Sequence, residues 1–481
     1  MHDDTPRAPT PVEAPIKPGT PVVLDEAATL LERSFVIGGA PWRLLRLSSA
    51  SHAVAERWRE GGVVGAREER LARTFVDQGL LHPRGRGSLE AGDVDVIIPV
   101  HDDVNGLRTL LGGLKGLHVT IVDDASTRPD EVEALAHEHD AALQRLATNV
   151  GPGAARNAGA RATSRPFLWF LDADLVLDNA PDVLARLAAS TDDPLVGAGA
   201  PRIRGGAGRG ARARFERSFS PLDMGKRTAL VVPGGPVPYV PSACLLVRRE
   251  AFGAGFDETL RVGEDVDFVW GLHDRGWLVR YHAPVVVAHP TRSTWVGWWR
   301  QRVGYGNSAA ALARRHPTRM APLRVDRWTL GAWAAVLVGR PAVAWRIGRA
   351  ARTQLSQTVA PHAEAPDEVA NAVLVRTMVR SGPALARALV RTFSAALLLG
   401  ALHPRLRRRA LLIWLVGTFA RWRTPRVYPS DVVLAAVDDL AYGLGVVGGA
   451  WRERSLTALV PRIGPSSMTW RDVLRPALRE D

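Results

Sequence analysis

Phe167-Leu168-Trp169-Phe170-Leu171-Asp172-Ala173-Asp174 is an apolar run that breaks into two carboxylates one residue apart. A continuous apolar pentad reads as a strand buried on both faces, and open α/β sheets bind ligands where such strands end. Residues two apart project to one side of an extended chain, so Asp172 and Asp174 offer a pair of oxygen donors there. Such donors hold Mn2+ or Mg2+ together with a substrate's phosphates. Spacing alone does not decide, because Asp93-Val94-Asp95 and Asp265-Val266-Asp267 are the same triplet.

The flanking pattern predicts the sheet. Residues 94–100, 119–122, 167–171, 195–200, 243–247 and 285–288 read as strands, with helices over 105–117, 129–142 and 153–162. That alternation implies an α/β fold with a mostly parallel sheet. Asp93 and Asp95 precede or begin their strand, which puts them at the edge away from ligands. Asp265 and Asp267 open a helix beginning Gly263-Glu264, where acidic residues suit the first turn. Context therefore selects Asp172 and Asp174 as the metal claw.

Other strand ends carry polar groups too. Pro99-Val100-His101 ends one strand, and Pro99 lacks an N–H to give the sheet. Asp123-Asp124-Ala125-Ser126 ends the next. A carboxylate there could accept a uracil N–H or a ribose hydroxyl, or could cap the helix that begins at Pro129. Asn149-Val150-Gly151-Pro152-Gly153-Ala154-Ala155-Arg156-Asn157 then sets a helix N-terminus beside an arginine, a combination that favours anions.

This ordered set resembles family 2 glycosyltransferases of the GT-A fold over roughly residues 93–290. The resemblance implies a Rossmann-like core that takes a nucleotide sugar, most often a UDP-sugar. It implies nucleotide-sugar contacts from Pro99, Val100, Asp124, Arg156 and Asp172, and metal ligation by Asp174, with His289 as a further ligand or a structural strand-end histidine. Asp265 matches the general base of an inverting displacement. Glu264, Trp298 and Trp299 would face the acceptor, the two tryptophans being an aromatic platform or core. The Gln-x-x-Arg-Trp pattern of processive synthases is absent, since Gln301 is followed by Arg302 and Val303.

More narrowly, the layout is similar to the glycosyltransferases of mycofactocin systems. They are thought to add glucose from UDP-glucose to a peptide-derived redox cofactor. The expected domains are a disordered lead-in over 1–20, an N-terminal module over 21–88, the transferase core over 89–318 and a helical region over 319–481. The module weakly resembles winged-helix peptide-recognition units, and a structural cap is the alternative. Residues 84–88 read as a flexible linker.

At 481 residues the chain can hold two or three domains, and its net charge of +13 suggests an anionic partner. Nucleic acid is disfavoured, because no zinc-ligand spacing or binding motif accompanies the charge. The single cysteine, Cys244, excludes internal disulfides. The N-terminus lacks an export pattern, so a cytoplasmic enzyme is expected. Residues 201–240 read as a mobile excursion. No apolar run past Met320 reaches the roughly 18 residues that span a bilayer. Arg- and Trp-bearing helices there fit either peripheral contact with the inner membrane face or an ordinary bundle. The competing acceptor is a lipid-linked or cell-wall polysaccharide.

Overall fold

The computed structural model describes residues 8–9, 14–32, 34–85, 87–177, 179–205, 209–291, 294–422 and 426–464. The chain divides into two compact units: Met1–Ala27, Gly39–Pro41 and Arg57–Thr291 form the first, and Ala28–Gly38, Trp42–Glu56 and Arg292–Asp481 the second.

The first unit is built on an eight-stranded sheet. Its order is Ala229–Leu230, Leu278–His289, Val196–Gly205, Cys244–Arg248, Phe167–Leu171, Val94–Val100, His118–Asp123 and Ala142–Arg145. The last four run parallel, and Cys244–Arg248 runs antiparallel to both its neighbours. Phe167–Leu171 is buried along its whole length, as a two-sided strand requires. Helix Pro152–Arg161 lies tight on this layer. A Cβ at Gly159 would stand 2.5 Å from Ile97 Cγ2, so only glycine allows that approach. Asp95 lies at the opposite edge from the claw, accepting the Ser164 and Arg165 amides and pairing with Arg249.

Several expectations need correction. The predicted helix over 129–142 ends at Glu138, and Ala142–Arg145 is an exposed edge strand whose four residues carry no apolar alternation. Residues 201–240 are not a structureless excursion. The strand runs on to Gly205, helix Gly210–Phe219 packs Phe215 and Phe219 together, and Ala229–Leu230 adds an edge strand. The linker is docked rather than free: the Asp192 carboxylate accepts the Gly87 and Ser88 amides and the Ser88 hydroxyl. Most of the expected lead-in lies outside the described residues, but Ala14 and Ile16 are buried. A small sheet ordered Gly62–Val63, Pro21–Leu24 and Leu81–Pro83 belongs to the same unit. Beside it, helix Glu69–Asp77 sends Arg73 to the Asp193 carboxylate at 2.9 Å.

In the second unit, Thr29–Leu31, Phe35–Gly38 and Arg43–Arg46 form an antiparallel sheet. Phe35, Ile37 and Leu44 pack on Leu355, Val359, Val369 and Val373. Helices Trp295–Arg315 and Pro429–Arg452 meet through small residues, since a Cβ at Gly306 would stand 2.1 Å from Tyr442 O. Ser381–Leu402 and Arg407–Phe419 form an antiparallel hairpin, with Gly417 against Ala386 and Gly400 against Ala410.

Two helices, Pro366–Leu402 and Pro429–Arg452, are long and apolar enough to cross a membrane by length and composition, contrary to the expectation that none would be. The reading by apolar runs stopped at Arg387 and Arg391. Those arginines are paired: Arg387 grips Asp439, and Arg391, Arg302 and Arg421 converge on Asp438. Trp298, read as an acceptor platform or as core, is 1% exposed and sits beneath the Arg302 guanidinium, which matches the core alternative. Trp299 is half-buried.

Candidate active site

The claw is shaped by two pairings made just after the Phe167–Leu171 strand. The Asp172 amide donates to Ala243 O at 2.9 Å, and the Val176 amide donates to Ala288 O at 2.9 Å. The second bond folds the segment back onto the end of Leu278–His289. It leaves His289 Nε2 at 3.2 Å from Asp174 Oδ1. Asp172, Asp174 and His289 each present a ligand atom within 4.8 Å of the others.

The donor set fits a divalent cation for a specific reason. His289 Nδ1 lies 2.9 Å from Pro290 O, and a carbonyl can only accept, so Nδ1 carries the hydrogen. In the neutral ring Nε2 then turns a lone pair toward a carboxylate oxygen. Two acceptors at that distance repel unless a proton or a cation lies between them. A carbonyl on the far nitrogen is also the usual outer partner of a metal-bound histidine.

Arg156 organises the opposite wall. It is almost fully buried and donates from Nη2 to Asp172 Oδ1 at 2.6 Å and from Nη1 to Glu264 Oε1 at 3.1 Å. Burial pulls its pKa down, but Asp172 and Glu264 outweigh that and keep the guanidinium protonated. Gly153 lets the two helices meet, since a Cβ there would stand 3.2 Å from Glu264 Cγ. Asn157 was only a motif member in the sequence. Its side chain bonds both ways with the Phe256 backbone, at 2.8 and 2.9 Å, and reaches Glu258 Oε1 at 3.0 Å. It thereby fixes the loop leading into helix Glu264–Asp274.

Asp265 opens that helix beside Glu264. Burial raises its pKa to about 7; Glu264 and Asp172 push the same way, against the Val266 amide and Arg156. A carboxylate in that range exchanges protons near neutral pH, as a general base must.

Asp124 has a different local role from helix capping at Pro129. Its two oxygens accept the Val150 amide at 2.7 Å and the Gly151 amide at 2.9 Å, and so hold the turn that starts the Arg156 helix. Its own amide bonds Val100 O, and His101 Nδ1 bonds its carbonyl. The following Ala125 is left-handed at φ 57°, as is Asp102 at φ 62°, so two strained non-glycine residues line this strand edge. Pro99 and Val100 end the central strand beside it. What sequence reasoning missed is long-range: the Val176–Ala288 pairing and the double reach of Arg156 have no local signature.

The model of glycosyl transferase family 2 matches residues 95–256. A pre-mycofactocin glycosyltransferase of Mycobacterium tuberculosis is 36% identical over 480 residues, spanning 92% of this chain and 98% of its own. A poly-beta-1,6-N-acetyl-D-glucosamine synthase of Staphylococcus aureus is 26% identical over 203 residues, which is 41% of this chain and 48% of its own. Among solved structures, a mannosyltransferase of Pyrobaculum calidifontis in complex with GDP-Man and Mn2+ aligns at TM-score 0.36 and 17% identity. It covers 69% of this chain and 87% of its own.

Proposed function

Because the chain belongs to glycosyl transferase family 2 and its core is a GT-A α/β fold, we propose that it moves a sugar from a UDP-sugar to a mycofactocin precursor. The donor in this reading is UDP-glucose and the acceptor a hydroxyl of a peptide-derived redox cofactor. The acceptor assignment rests on the identity to the mycobacterial relative over nearly its full length. The observation that carries the chemistry is a near-neutral carboxylate, Asp265, set beside the Asp172, Asp174 and His289 donor set.

Asp265 takes the proton of the acceptor hydroxyl as its oxygen attacks the anomeric carbon, and the nucleoside diphosphate departs from the opposite face. A single displacement inverts the anomeric centre. Glu264 is held by Arg156, which leaves Asp265 as the carboxylate beside the claw whose proton affinity suits a base. Arg156 orients Asp172, and Asp124 sets the turn that positions Arg156. Asp172, Asp174 and His289 would hold Mn2+ or Mg2+, which neutralises charge on a departing diphosphate when bound. Glu264, expected to face the acceptor, is buried beside the base and committed to Arg156.

A lipid-linked or cell-wall polysaccharide acceptor is the competing reading, and the exposed apolar hairpin of the second unit favours it. Thermal stabilisation measured against a panel of nucleotide sugars, with and without Mn2+, tests the donor. The reading expects stabilisation by a UDP-sugar that strengthens with Mn2+. No response to any nucleotide sugar would refute it.

A further inference from the structure

The helical hairpin of the second unit loses its packing halfway along. In helix Ser381–Leu402 the last buried residue is Ser394, and none from 395 to 409 is buried. Beyond Ser394 the helix projects for about 12 Å at 1.5 Å per residue. Its partner helix, Arg407–Phe419, buries only Ala410, Gly417 and Thr418.

The uncovered surface is apolar on both helices. Leu399 is 69% and Leu402 81% exposed, with Leu398 beside them, and Leu411, Leu412 and Leu415 form a stripe on the returning helix. Arg405, Arg407, Arg408 and Arg409 cluster at the turn. From residue 369 to 430 the sequence holds eleven arginines and no Asp or Glu. An apolar surface edged by cations and free of acids matches a bilayer whose headgroups are anionic. A protein partner would need an acidic rim around an apolar groove; a lipid surface supplies both properties everywhere.

The part of the hairpin that projects free of packing is too short to span. It covers less than half of a hydrocarbon core of about 30 Å. Farther back, Arg387 and Arg391 are engaged with Asp438 and Asp439 inside the helical unit.

We propose that residues 395–416 form a docking hairpin for an anionic phospholipid bilayer, with Leu398, Leu399, Leu402, Leu411, Leu412 and Leu415 in the headgroup–acyl boundary and Arg405, Arg407, Arg408 and Arg409 on lipid phosphates. The surface is independent of the transferase reading, and donor binding does not enter its test.

The test is flotation of the full-length protein with vesicles of phosphatidylcholine alone and of phosphatidylcholine containing phosphatidylglycerol. The protein should float with the anionic vesicles, detach at high salt and be extracted by alkaline carbonate. The R405Q/R407Q/R408Q/R409Q and L398Q/L399Q/L402Q variants should each partition about tenfold more weakly or worse. All seven side chains are exposed, so both variants should keep the wild-type unfolding midpoint. Equal flotation with both vesicle types, no flotation, or retention through carbonate would overturn the proposal. The salt dependence of the wild type decides the matter even where a variant misfolds.

Discussion

His289 Nε2 faces the Asp174 carboxylate at 3.2 Å while its other ring nitrogen is committed to the Pro290 carbonyl. That arrangement leaves two lone pairs opposed unless a proton or a cation separates them, and a metal titration distinguishes the two. Calorimetric titration with Mn2+ should show one site, and His289→Ala should weaken it by roughly tenfold or more, on the scale of a lost ligand or its support. Asp174→Asn should weaken it further, and chelation should abolish glycosyl transfer. Wild-type Mn2+ affinity in both variants would remove the metal from this site.

Asp265 gives a stability signature separate from turnover. Its folded pKa, raised to about 7, lies above the ordinary carboxylate value, so the folded state keeps a proton that the unfolded chain has lost. Stability contributed by this group therefore falls as pH rises from about 4 to 7. Asp265→Asn removes that penalty. The variant should unfold at a higher temperature than wild type at pH 8, and the gain should vanish near pH 4. A bound divalent cation should shrink the gain by lowering the pKa.

Arg156 is the opposite case, a buried cation whose loss strands two carboxylates. Arg156→Ala should destabilise the first unit by about 3 kcal/mol or more, read as a lower denaturation midpoint. Arg156→Lys should recover little of it, because an ammonium cannot span Asp172 and Glu264 as a planar fork does.

In the second unit, burial pushes the Asp438 pKa up, but Arg391, Arg421 and Arg302 outweigh it and hold the carboxyl well below the usual range. Its stabilisation is therefore complete above the unfolded value near 3.9 and is lost as pH falls. Asp438→Asn should lower the unfolding midpoint at pH 7, with the gap to wild type narrowing in acid.

Much of this was legible from local pattern. The Phe167–Leu171 pentad read correctly because two-sided burial leaves an unbroken apolar run, and the Gly263 break announced the helix carrying Asp265. Edge strand Ala142–Arg145 was not legible, since exposed strands need no alternation and its Ala-Leu-Gln-Arg continues a helical composition. The tail misled for an electrostatic reason. Arg387 and Arg391 interrupt an apolar run, but their partners Asp438 and Asp439 lie about fifty residues on, beyond any window. Trp298 stayed open between platform and core because sequence shows an aromatic ring and not the arginine above it.

In the proposed reaction Asp265 deprotonates the acceptor while the claw and Arg156 serve the donor. Single-turnover transfer from UDP-glucose by Asp265→Asn, beside its UDP-glucose dissociation constant, tests it most directly. Donor affinity should stay near wild type, with transfer slowed by about 10²- to 10⁴-fold. Transfer at the wild-type rate by that variant would contradict it.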